Sequence, residues 1–418
     1  MSLLTRTRAI LATTLVAAAL ASVAVLSKEA PSAKPEDVGL STERLARMDK
    51  FIHGYVDAGR TPGVVTLIAR HGKVVHVDAY GKADLASGRA TRADDIFRMY
   101  SMTKPITSTA LLMLFEEGRF QLTDPLSKYF PAFADVKVMT GGSGSGTTTL
   151  EAPKRPITVQ DIFRHTAGFS YGFGGSPVDK MYQDANVFAT DLDGLLAKVV
   201  KMPLLYQPGE RWVYSVAHDV QAALVEKLSG QKFDQFVQQR VFTPLGMRDS
   251  MFKIPADKKS RVPGLYSVDK GKLVADTSPL GAGYGDQVFG GFSISTTASD
   301  YALFAQMLLN KGQLNGVRLL SPKTVELMAT NHLPAPALAS GPGPGTGYGL
   351  GVSVTMDPAA RGNLGSVGEF GWSGAASTHV LIDPKEDLVA IYCTQLMGGD
   401  FAIRAEFATL LYQSIVGN

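Results

Sequence analysis

Two pairs of β-branched runs stand at opposite ends of this chain with helical patterns between them, and nothing else in the sequence restricts the fold as much. Residues 64–70 and 74–80 are joined by His71-Gly72-Lys73 and read as an antiparallel hairpin. Residues 378–383 and 388–394 flank a Pro384-Lys385-Glu386-Asp387 turn, and 401–416 follow as a helix with Phe407, Leu411 and Ile415 on one face. Near the start, Leu45, Met48, Ile52 and Val56 recur at helical spacing until Gly59. Helix patterns or caps fill the middle at 108–117, 159–164, 192–200, 216–228, 233–241 and 298–309. Strands at both termini around a helical middle imply one antiparallel sheet assembled from the two chain ends and flanked by helices, with an inserted, mostly helical lobe. That is an α+β architecture, not an alternating βαβ one. The boundaries follow: an α/β lobe from 28–98 and 285–418, a helical lobe at 99–284, and a site between them. Residues 140–149, rich in glycine and serine, read as a flexible loop. Residues 333–351, dense in proline and glycine, read as irregular. Neither sits between a strand and a helix with an appended Lys-Ser/Thr, so neither is a phosphate cradle.

Composition removes whole classes of function. At 45% hydrophobic the 418-residue chain is folded, not disordered. With 41 basic against 38 acidic residues it lacks the charge excess of a nucleic-acid binder. Cys393 is the single cysteine, which excludes an intramolecular disulfide, a cysteine zinc site and an iron–sulfur cluster. None of the seven histidines (His53, His71, His76, His165, His218, His332, His379) forms H-x-H or H-E-x-x-H spacing, so no metal and no cofactor is expected. Chemistry is left to Ser, Lys, Tyr, His and carboxylates. Arg6 and Arg8 precede an apolar run at 9–26 with small residues near its end, so 1–27 read as an export signal, which implies a periplasmic or secreted protein. The alternative is an uncleaved membrane anchor, the run being close to the ~20 residues that span a bilayer.

Ser101-Met102-Thr103-Lys104 opens a helix whose start is marked by Pro105, a residue without an N–H that belongs in the first turn. Residues three apart share a helical face, which puts the Lys104 amine near the Ser101 hydroxyl. A serine hydroxyl needs a neighbouring base to attack, and a lysine is one only if desolvation or nearby positive charge favours its neutral amine. Tyr214, after a Pro208-Gly209 turn and before a helix, is placed to point its phenol into a cleft; packing against Trp212 is the alternative. Gly371-Trp372-Ser373-Gly374-Ala375 is a glycine-bordered strand edge, which lets backbone N–H groups approach a reacting carbonyl; a bulge or close strand approach explains the same glycines.

Taken together, these three motifs resemble the serine β-lactamase and penicillin-binding-protein superfamily, in its class C-like branch and closest to the family VIII carboxylesterases. Ser101-x-x-Lys104 is similar to the nucleophile motif, Tyr214-Ser215-Val216 to the Tyr-x-Asn position, and Trp372-Ser373-Gly374 to the Lys-Thr-Gly position. Flanking segments at 163–169, 207–210 and 290–300 agree, and the similarity runs collinearly from about Val38 to the C-terminus. The resemblance implies a β-lactamase/transpeptidase-like fold, Ser101 as nucleophile, and Lys104 and Tyr214 as the proton-transfer pair. It also implies an oxyanion hole from the backbone N–H groups of Ser101 and Ala375, and substrate contacts from Tyr100, Val216, Trp372, Ser373 and Gly374. Two departures point towards esters. Val216 stands where an asparagine would bond a lactam amide, and Trp372 where a lysine would attract a carboxylate. The expected activity is hydrolysis of short-chain or aryl esters with weak β-lactam hydrolysis. The same fold also hosts β-lactamases, D-amino-acid peptidases, acyltransferases and penicillin sensors that do not turn over. The expected partner is a small ester, with no nucleic acid and no membrane beyond the N-terminal segment.

A rival serine exists. Gly168-Phe169-Ser170-Tyr171-Gly172 fits the G-x-S-x-G elbow, but that elbow needs a strand before it and a helix after it. Here a helix pattern precedes Ser170 and a glycine-rich loop follows.

Overall fold

Every residue of strand β1 (Gly63–Arg70) is buried, and the register explains why. Val64 and Ile68 face one apolar cluster while Val65 and Leu67 face another on the opposite side. A strand covered on both faces reads as a continuous apolar run rather than an alternation. The computed structural model describes residues 32–141, 149–278, 287–399 and 402–417. The export segment expected at 1–27 and residues 142–148 of the glycine–serine loop lie outside these ranges.

β1 pairs on one side with β2 (Lys73–Gly81). The remaining strands of the main sheet are β3 (Thr346–Tyr348), β4 (Ser353–Thr355), β5 (Phe370–Ser373), β6 (His379–Asp383) and β7 (Leu388–Cys393). The spatial order is β3-β4-β5-β6-β7-β1-β2, antiparallel throughout, so the last strand of the chain lies beside the first. Leu67 faces Ile391 across the β1–β7 pair. One face is covered by α1 (Thr42–Asp57), through Leu45, Met48 and Ile52, and by the C-terminal helix α5 (Ile403–Tyr412), through Phe407 and Leu411. The other face takes α4 (Ala298–Leu309) and, beyond it, the helical middle of the chain. The sheet built from both chain ends is thus as expected. Its size is not. The sequence suggests four strands, whereas β3, β4 and β5 add three more, with β3 inside the stretch expected to be irregular. Strands of three or four residues broken by glycine give no period for a sequence window to register.

Within the helical middle, α2 (Thr103–Glu116) is buried from Thr103 to Leu114 and packs against α3 (Ala217–Ser229). A helix buried all round must satisfy its polar side chains internally. Thr107 Oγ1 donates to Gly290 O at 2.7 Å, Thr103 Oγ1 accepts from Ile294 N at 3.0 Å, and Ser108 Oγ donates to Gln221 Oε1 at 3.1 Å. These bonds bind α2 to the 290–294 segment and to α3.

Candidate active site

α2 does not begin at Ser101. Residues Tyr100–Met102 form a turn of 3₁₀ helix, the α-helix starts at Thr103, and Pro105 sits in its first turn. Tyr100 takes a positive φ of 46°, a left-handed conformation that costs a non-glycine residue of order 1 kcal/mol or more and persists only where its surroundings fix it. Tyr100 is buried against Leu265 and Ala376, and this turns the half-buried Ser101 towards the cleft.

The Lys104 amine is fully buried. It donates to Ser101 Oγ at 3.1 Å and to the carbonyl of Gly291 at 2.8 Å. The same nitrogen lies 4.6 Å from the centre of the Tyr214 ring and 5.3 Å from that of Tyr171. The Tyr214 hydroxyl in turn accepts the Trp372 indole N–H at 3.3 Å. Serine, lysine, tyrosine and tryptophan, from three separate parts of the chain, therefore converge in one place.

β5 ends at Ser373, beside the Ser101 turn. Gly374 N donates to Thr378 O at 2.9 Å, and a side chain at Gly374 would come within 2.3 Å of Met99 O. That proximity sets Ala375 across from Ser101. Ser373 Oγ bonds His379 Nδ1 at 2.8 Å, its cross-strand neighbour in β6. Burial, reinforced by Arg404 and Arg361, holds the His379 imidazole down to about 3, so it stays neutral. These residues line a cavity of about 980 Å³. One side is aromatic, from Tyr171, Tyr182, Phe188 and Phe292, with Phe173, 74% exposed, stacked on Tyr171 at the rim. The lining also carries Ser373, His379 and Arg404. Tyr100, Ser101, Tyr214, Trp372, Gly374 and Ala375 all line the cavity.

Val216 does not belong to that wall. The chain enters α3 there, at the N-cap, and the side chain packs fully buried in the core. The expected substrate contact is replaced by a packing role. Ser170 is also buried, its hydroxyl given to Asp179 Oδ1 while accepting Gly172 N at 2.7 Å, and the element before it is a helix, Val159–Phe163. The elbow geometry is absent and the hydroxyl braces a turn.

Sequence reasoning passed over Asp219. It lies on α3, five positions after Tyr214, with its carboxylate fully buried. Its Oδ1 accepts the Gly291 N–H at 2.8 Å, and Oδ2 has no hydrogen-bond partner. Desolvation pushes the carboxyl up to about 7, against the pull of Lys104 and of the Gly291 N–H. An acid inside the apolar pattern of 216–228 was the available signal. Beneath Tyr214, the His165 and His218 rings lie with centres 4.7 Å apart, tilted by 42°, both fully buried. Burial drives both imidazoles well below their ordinary range, and the Lys104 charge adds to this.

A family model described as Beta-lactamase matches residues 48–413. The chain belongs to the Beta-lactamase family. It is 35% identical over 350 residues to Protein Rv1367c of Mycobacterium tuberculosis, covering 81% of this chain and 87% of that protein. It is 30% identical over 296 residues to the lovastatin esterase of Penicillium rubens, covering 68% and 73%. Among solved structures, EstCE1, a hydrolase with promiscuous acyltransferase activity, superimposes with a TM-score of 0.77 over 88% of this chain and 99% of that one, at 24% identity. The fold is thus that of the β-lactamases and transpeptidases, and the protein is a serine hydrolase of that family.

Proposed function

We propose that this member of the Beta-lactamase family is a carboxylesterase that cleaves short-chain or aryl esters through an acyl-enzyme on Ser101. The observation that carries the reading is the Lys104 amine, fully buried and hydrogen-bonded to Ser101 Oγ beneath an aromatic cavity. Ser101 Oγ attacks the ester carbonyl while its proton passes into the Lys104–Tyr214 pair. Electrons of the C=O bond move onto the oxygen, which the Ser101 and Ala375 amides would hold. Collapse of the intermediate breaks the bond to the alcohol, which leaves with the proton from Tyr214. Water then attacks the acyl carbon by the same route in reverse. Trp372 supports an ester over an anionic β-lactam: it presents an apolar ring where a cation would recruit a carboxylate, and its N–H orients the Tyr214 hydroxyl. The similarity to a fungal lovastatin esterase supports the same class of substrate.

The test is labelling with a fluorophosphonate followed by peptide mass spectrometry, beside p-nitrophenyl butyrate and nitrocefin turnover. Modification at Ser101, with butyrate turnover abolished in Ser101→Ala, is expected. Turnover that survives Ser101→Ala, or nitrocefin cleaved faster than the ester, would refute the proposal.

A further inference from the structure

The mechanism above leaves a buried carboxylate unused beside its lysine. Lys104 Nζ holds the carbonyl side of Gly291 at 2.8 Å, and Asp219 Oδ1 holds the N–H of the same residue at 2.8 Å. Amine and carboxylate thus grip one glycine from its two ends. The approach is close enough that a side chain on Gly291 would lie 3.0 Å from both Asp219 oxygens and 2.7 Å from the Tyr171 hydroxyl. Neither Asp219 Oδ2 nor the Tyr171 hydroxyl has a hydrogen-bond partner, although both are buried. A buried carboxylate without full hydrogen bonding is costly to keep, which asks for an electrostatic return elsewhere.

We propose that Asp219 is the positioning residue of the catalytic lysine: it fixes Gly291 against the Lys104 amine and supplies the negative charge that balances the lysine's ammonium during acylation. This rests on the acyl-enzyme reading. When Ser101 Oγ bonds to the ester carbon, its proton goes to Lys104 or to Tyr214. In the first case Lys104 becomes the ammonium; in the second it already is one. Either way an ammonium faces Asp219 as the oxyanion forms, and Asp219 neither gains nor loses a proton in the step.

The surroundings isolate that pair. Facing Asp219 are Lys104 from α2, Tyr171 from the loop before the helix at Pro177–Ala185, and His218 on its own helix, with His165, Tyr214 and Tyr348 beyond. Burial keeps His165 and His218 neutral, and Tyr171 and Tyr348 protonated, near pH 7. With its carboxyl pushed up to about 7, Asp219 loses its charge within the working range of a hydrolase. Below that pH the ammonium has no balancing charge and the rate falls.

The experiment measures kcat/KM for p-nitrophenyl butyrate from pH 5.5 to 9 in wild type, Asp219→Asn and Asp219→Glu, with the Tm of each. Wild type is expected to show an acid limb near pH 7. In Asp219→Asn, whose amide oxygen still accepts the Gly291 N–H, the limb should flatten and the plateau fall roughly tenfold to a hundredfold. In Asp219→Glu the limb should persist at a displaced pH. A carboxylate that merely braces the fold would lower Tm and the plateau in Asp219→Asn without moving the limb, and that result overturns the proposal. So does a wild-type profile flat from pH 6 to 8. If Asp219→Asn does not fold, Asp219→Glu decides: an unmoved limb overturns the assignment. Turnover surviving Ser101→Ala would instead remove the acyl-enzyme reading, wherever the limb falls.

Discussion

At the scale of single residues, the site depends on how closely two backbones approach. Gly374 follows the last residue of β5 against the turn that carries Ser101, and a methyl there would meet Thr378 Oγ1 at 2.2 Å and Met99 O at 2.3 Å. Real side chains do not sit at such distances, so the strand end would have to move away from the turn. The Ala375 amide would move with it, away from the Ser101 amide. Displacing one donor of an oxyanion hole lowers kcat by roughly 10²–10³. Gly374→Ala is therefore expected to lose that much kcat on p-nitrophenyl butyrate with a much smaller change in KM. An unchanged kcat would show that Ala375 is not a donor. Trp372 acts over a similar range by a different route, because its N–H fixes the phenol that faces the lysine. Ser170 shows the converse, a serine in a motif of the right letters whose hydroxyl is already committed to Asp179.

At the scale of elements, α2 is held by side chains that a helical propensity argument would count against it. Thr107 gives its hydroxyl to Gly290 O in the buried core, one residue before the carbonyl that binds Lys104. Thr107→Val keeps the shape and removes the donor, leaving a buried carbonyl unpaired at about 1–3 kcal/mol. Urea unfolding should show a lower midpoint with an unchanged slope, and an unchanged midpoint would count against the bond. This network also shows what the sequence could and could not reveal. Lys104 beside Ser101 was legible because three-residue spacing places both on one face of a helix, whatever the rest of the chain does. The interior strands β1 and β7 were legible because each is a largely apolar run buried on both faces. β3, β4 and β5 were not, since their pairing with neighbours, rather than any local period, makes them strands. Val216 was misplaced for a related reason. The motif gives its position along the chain, but the helix start decides that its side chain faces the core. Asp219 was visible as a charge in an apolar helix, yet its partner Gly291 is 72 residues away.

At the scale of the whole molecule, the buried charges near the cleft give stability a particular dependence on pH. His165 and His218 are fully buried, and burial keeps both neutral in the folded protein. Unfolded, each takes up a proton below about pH 6.5. Their folded values are depressed, so the neutral buried form is without penalty above that pH and increasingly disfavoured as pH falls below it. Asp219 has the opposite sign. Its folded value is raised to about 7, so between there and the ordinary carboxyl value near 3.9 the folded protein keeps a proton that the unfolded chain releases. Unfolding gains protons at the imidazoles and releases one at Asp219, so the balance is a net uptake and stability falls as pH drops from about 6 towards 4. His379, half-buried at the cavity wall and held down to about 3, adds to the same trend. Asp219→Asn removes the opposing group and should steepen the slope, while His218→Gln removes one proton uptake and should make it shallower. Unfolding free energies from urea titrations at pH 7.5, 6, 5 and 4.5 measure both effects. A wild-type stability constant across that range would mean that the two imidazoles are not buried as neutral bases beneath Tyr214.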